Sequence, residues 1–218
     1  MKAGHGCFPT NSVEWATWDP TGISDFLNFM QASNANVVRC FLTVQFWLDD
    51  SDNYQSNLEY FINQAVDRGI YTDLVFWCKN ASNFQPNGVL PWNDVGNNVL
   101  NSSADFVNLW GNVSKTLKSY PTVLFELWNE PNSNVASDEA VWFDVLQQCI
   151  NQIRSTGAAQ PIMIQWGEEI NYDFHFGYAD SMQWVFDYPL SDPLGNLIYS
   201  RTFIQEDIMA STLQLTIQ

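Results

Sequence analysis

Apolar positions along the chain alternate between two rhythms. ISDFLNFMQAS (residues 23–33) spaces them as one face of a helix does, and NVVRCFL (36–42), which follows, is almost continuously apolar. The same pair recurs as LEYFINQAVDRG (58–69) and IYTDLVFW (70–77). After a polar, Pro- and Asn-rich loop from Lys79 to about Asn101, it returns as ADFVNLWGNVSKTLKSY (104–120) and TVLFEL (122–127). DEAVWFDVLQQCINQIRSTG (138–157) and PIMIQW (161–166) follow, and NLIYS (196–200) is a last strand after an irregular connection.

Runs rich in Val, Ile and Leu without polar alternation mark parallel strands buried on both faces. Helix and strand alternating at this pitch imply right-handed β/α crossovers, in an open doubly wound sheet or in a barrel. No glycine-rich turn follows any of the strands, which removes the main support for a dinucleotide-binding sheet. In a barrel the chemistry sits where strands run out into loops. There PTVLFELWNEPNS (121–133) places Asn129, Glu130 and Pro131, a carboxylate at a strand tip beside a rigid turn.

With 218 residues and 46% hydrophobic content, the chain is about one domain long and buries a substantial core. Eight basic residues against 24 acidic ones give a net charge of −16, which repels nucleic acid and anionic membranes and favours a neutral substrate. No stretch approaches the ~20 apolar residues of a membrane span, and MKAGHGCFPT has no apolar run of signal-peptide length. Cys7, Cys40, Cys78 and Cys149 lack CxxC spacing and only His5 and His175 offer imidazole, so no metal or other cofactor is expected. The sequons at Asn80, Asn101 and Asn112 decide nothing. Ten Trp are many for this length. Most are expected to fill a core, but Trp47, Trp77 and Trp166 fall at strand tips, where flat indole faces suit sugar rings.

LFELWNEP (124–131) resembles the fourth-strand signature of glycoside hydrolase family 5, the cellulase and mannanase family of retaining (β/α)8 enzymes. NANVVRCF resembles that family's second-strand motif and NLIYS the start of its sixth strand, so the resemblance runs from about Trp18 to Ser200. It implies Glu130 as general acid/base, Asn129 as the contact to the sugar 2-hydroxyl, and Arg39 as support for the catalytic carboxylates. Tyr199 is expected as a substrate contact, and Trp47, Trp77 and Trp166 at their strand tips as stacking platforms. It also implies a β-linked glucan or mannan as substrate and a secreted, extracellular setting.

Retaining glycosidic cleavage needs one acid that protonates the departing oxygen and a second carboxylate, about 5–5.5 Å away, that attacks the anomeric carbon. The family takes the second from strand 7, whereas this sequence reaches Gln218 shortly after its sixth-strand motif. Glu168 and Glu169 follow strand 5 and read as rim or substrate-contacting groups; Glu206 lies in a stretch that matches nothing in the family. Trp77 stands where the family commonly has a His, and Arg201-Thr202-Phe203 stand where it has another. The expected architecture is therefore an incomplete TIM barrel over residues 1–200, holding strands about 2 to 6 and lacking 7 and 8. Residues 201–218 form a non-family tail, attributed to a reading-frame shift at Ser200. Open barrel edges imply self-association. Two function classes follow: a family 5-like hydrolase whose chain lacks its nucleophile and is inactive alone, or a non-catalytic carbohydrate-binding remnant of such a barrel.

Overall fold

The computed structural model describes residues 19–50, 53–78, 90–93, 99–129, 131, 133, 135, 137–165 and 184–200. Among them the chain runs α1 (Pro20–Ala32), β1 (Val37–Thr43), α2 (Val44–Asp49), α3 (Tyr54–Val66), β2 (Tyr71–Cys78), α4 (Ser103–Leu117), β3 (Val123–Glu126), α5 (Asp138–Ser155), β4 (Ile162–Gln165), α6 (Trp184–Asp187) and β5 (Leu197–Ser200). The strands form one parallel sheet in the order β1-β2-β3-β4-β5. Neighbours in sequence are neighbours in space, which is how successive strands of a β/α barrel are laid down.

Local chemistry sets the helix limits. Asp19 accepts the Gly22 amide at 2.9 Å and Pro20 opens α1, while Ser102 accepts the Asp105 amide and Asp105 in turn accepts that of Asn101, a reciprocal cap on α4. After α5 the chain reverses at Gly157, whose φ of 85° is a left-handed conformation that a side chain would strain.

Side-chain alternation divides the sheet into two unlike faces. Cys40, Leu42, Leu74, Phe76, Phe125, Ile162 and Ile164 point at the helices and are completely buried. Trp110 of α4 packs on both Phe76 and Phe125, with centroids 5.4 and 5.7 Å away. Its indole N–H also reaches the Leu127 carbonyl just past β3, as Trp142 of α5 reaches that of Gln165 at the end of β4. Each helix thus clips the end of a strand on which it packs. The opposite, inner face is only partly covered: Tyr71 is 46% and Ile198 36% exposed.

A charged clamp ties the other ends of the strands. Arg154 holds both oxygens of Asp192 at 2.8 and 2.9 Å and donates to the Ala158 and Gln160 carbonyls, so α5, the turn before β4 and the turn before β5 meet on one guanidinium. The Arg154 hydrogen bonds, helped by the Asn196 and Leu194 amides and opposed by burial, lower the Asp192 pKa to about 2. A depressed acid stabilises the fold above its unfolded pKa of about 3.9 and loses that contribution as pH falls through the folded value. Asp192→Asn is therefore expected to cost on the order of 1–2 kcal/mol in urea unfolding near neutral pH, the difference from wild type vanishing near pH 2.

Candidate active site

Arg39 on β1 sits directly opposite Asp73 on β2, and Glu126 on β3 lies two residues beyond Leu124, the register partner of Asp73. All three side chains therefore emerge on the inner face. Arg39 grips Glu126 with two prongs, Nε to Oε2 at 2.6 Å and Nη2 to Oε1 at 2.5 Å. The same Nη2 donates to Asn129 Oδ1 at 2.9 Å, and the guanidinium lies 4.8 Å above the Phe41 ring. Glu126 and Asn129 are 1% and 3% exposed, so water competes little for these bonds.

Asp73 completes the cluster without an equivalent grip. Its Oδ2 is 3.9 Å from Arg39 Nε, beyond hydrogen-bond distance, and its buried Oδ1 has no partner. Burial first, then the negative Glu126 beside it and a hydrogen bond with it, hold the Asp73 carboxyl well above the usual carboxylate range, with Arg39 pulling the other way. Among the described residues Arg39 is the cation beside the two acids, and it grips Glu126 rather than Asp73.

Of the residues singled out from sequence, Arg39 and Asn129 are brought together here. Glu130 and Trp166 lie outside the described residues, as do Glu168, Glu169, Glu206 and the tail from residue 201. Trp77 is half-buried on β2, its ring 5.0 Å from that of Phe41. Tyr199 is a correction. It pairs in register with Ile164, and the strand's alternation turns it toward the helices, where it packs against the core; Ile198 and Ser200 take the inner face. Burial raises its phenol pKa accordingly.

Trp47 is the other correction. Instead of standing in an open strand-tip loop, it belongs to α2, is completely buried, and donates its indole N–H to Asn112 Oδ1 of α4 at 2.7 Å. A short helix right after β1 turns the indole into the helix layer. Trp47→Phe is expected to lower stability by about 1 kcal/mol through the lost hydrogen bond. Urea unfolding measures the loss; a variant as stable as wild type would overturn the structural role of this hydrogen bond.

Sequence reasoning missed Asp73 and Glu126, although the signal was present: an acid in the middle of an otherwise apolar parallel strand is expensive unless paired. Among the described residues no group of His, Cys, Asp and Glu has metal-ligand geometry. A depression of about 310 Å³ between α5 and residues 187–190, lined in part by Phe143 and Tyr188, shares no residue with the Arg39 network.

A parallel sheet of sequential β/α units, carrying a buried Arg–carboxylate network beneath the end of its third described strand, is the layout of part of a β/α barrel. Cellulase, glycosyl hydrolase family 5, is the family model that matches residues 3–201, and the chain belongs to that family. Its fold is similar to that of PbGH5A, a glycoside hydrolase family 5 enzyme from Prevotella bryantii B14, with a TM-score of 0.62 at 18% identity over 90% of this chain and 58% of that one. Cel5A (EG2) from Hypocrea jecorina matches with a TM-score of 0.60 at 19% identity, over 88% of this chain and 56% of its own. XacCel5A in complex with cellopentaose matches with 0.59 at 19% identity, over 81% and 54% respectively. The chain thus spans little more than half the length of these structures, and at such identities the likeness is one of fold. No curated protein matches the chain significantly.

Proposed function

We propose that the chain carries the acid/base half of a retaining glycoside hydrolase site acting on β-linked glucan. Glu130 protonates the departing glycosidic oxygen and later activates water, and Asn129 holds the sugar 2-hydroxyl. Arg39 keeps Asn129 in place through the 2.9 Å hydrogen bond, the single observation that carries the reading in a family 5 chain. The cellopentaose bound to the similar XacCel5A makes a β-1,4-glucan the first substrate to try. A charge of −16 suits a neutral polysaccharide.

The second carboxylate is the discriminating question. On the described inner face the acids are Asp73 and Glu126, and both are committed to the Arg39 cluster, which leaves neither as a nucleophile. That observation keeps a second reading in play: a barrel remnant that binds β-glucan, with Trp77 as a stacking surface, and does not cleave it. Incubating the 218-residue chain with soluble β-1,4-glucan separates the two. Release of reducing ends that first appear in the β-configuration by proton NMR supports the hydrolase. Saturable binding without release selects the remnant, and absence of both overturns the proposal.

A further inference from the structure

The inner face of β1, β2 and β3 gathers one cation and two acids in a space from which water is nearly excluded. Both oxygens of Glu126 are taken by Arg39, and the Arg39 nitrogen that holds one of them also serves Asn129. Asp73 is 4% exposed and stands across the register from Arg39 at 3.9 Å, a loose ion pair beside the 2.5–2.6 Å grip on Glu126. Its charged neighbours among the described residues are Arg39 from β1 and Glu126 from β3; Tyr71 and Trp77 share its face on β2. Among the described residues the inner positions of β4 and β5 add Met163, Gln165, Ile198 and Ser200, none of them charged. Two ionised acids here would share one guanidinium in a site of low polarity, which is more costly than keeping one proton.

We propose that Asp73 and Glu126 form a proton-sharing positioning pair. Asp73 donates its acid proton to Glu126, the pair carries one negative charge, and that charge fixes the Arg39 guanidinium in the orientation from which it serves Asn129. Its consequence for catalysis rests on the proposed role of the Asn129–Glu130 stretch, whereas the pairing itself does not. Geometry supports the assignment: parallel register puts Asp73 and Glu126 on one buried face, and among the described residues the cation beside them grips Glu126 with two prongs and stays 3.9 Å from Asp73.

Three forms of the full chain test it: wild type, Asp73→Asn, which keeps a neutral donor toward Glu126, and Asp73→Leu, which removes it. An acid that keeps its proton in the fold binds more protons folded than unfolded, so it weakens the fold as pH rises above the unfolded value of about 3.9. Asp73→Asn escapes this cost, so its unfolding midpoint should rise relative to wild type between about pH 4 and about pH 8. If Asp73 is instead an ionised partner of Arg39, the same variant loses stability over that range and the proposal falls. Positioning is read separately, from the Arg39 Nε–H and Asn129 side-chain amide signals in proton–nitrogen NMR spectra. Asp73→Asn should leave them in place and Asp73→Leu should shift or broaden them; unmoved signals in a folded Asp73→Leu overturn the positioning role. Where Asp73→Leu does not fold, signals displaced in Asp73→Asn do the same. On soluble β-glucan, Asp73→Leu should lower kcat about tenfold with KM within about twofold. A wild type without turnover counts against the hydrolase reading, while the unfolding and NMR results still decide the pair.

Discussion

In a version of this protein that carries the second carboxylate, Glu130→Gln is expected to slow hydrolysis of unactivated β-linked glucans by about 10²–10⁴-fold, while aryl glycosides with good leaving groups lose far less. The asymmetry follows from the work assigned to the side chain. A sugar alkoxide is a poor leaving group and must receive a proton as the bond breaks, whereas an activated phenolate departs without one. The amide of Gln keeps the size and much of the hydrogen bonding of Glu but has no proton to give, so misfolding should not confuse the result. The descending alkaline side of the pH–rate profile should disappear with the acid. Steady-state rates on the two substrate types, measured side by side, check all of this. Equal losses on both, or no loss on either, remove Glu130 from the acid/base role.

Arg39→Met should destabilise the chain by about 3–5 kcal/mol near neutral pH, the range found when one partner of a buried ion pair is removed. Glu126, 1% exposed, would lose both donors, and Asn129 Oδ1 would lose the Arg39 donor as well. Met preserves most of the side-chain volume over Phe41, so the loss reports charge and hydrogen bonding more than packing. Urea unfolding of variant and wild type at neutral pH provides the comparison. A loss below about 1 kcal/mol at neutral pH would mean that the guanidinium is dispensable, as surface ion pairs usually are.

The order of elements was readable before any tertiary contact was known. TVLFEL became β3 (Val123–Glu126), PIMIQW became β4 (Ile162–Gln165), and the helices before them differ from expectation only at their ends. α2 (Val44–Asp49) was missed because six residues are too few for a helical period to declare itself, and that omission sent Trp47 to the wrong side of the sheet. Tyr199 failed for a related reason: a strand tip can be located from pattern, but a shift of one residue exchanges its two faces.

Arg39 and Asn129 were nameable from the motifs around them, yet nothing in those motifs says that one donates to the other across 90 positions of chain. Asp73 and Glu126 were visible as acids inside apolar strands, but their partners were not. What the sequence determined by itself was local: helical period, strand hydrophobicity, caps, and the motif carrying Asn129 and Glu130. Each of these is written within a few residues, so backbone sterics and side-chain burial act on it directly. The tertiary structure alone decided the pairings, because parallel register sets which side chains of separate strands share a face. Only when Arg39, Asp73 and Glu126 are enclosed together do burial and the neighbouring Glu126 raise the pKa of Asp73.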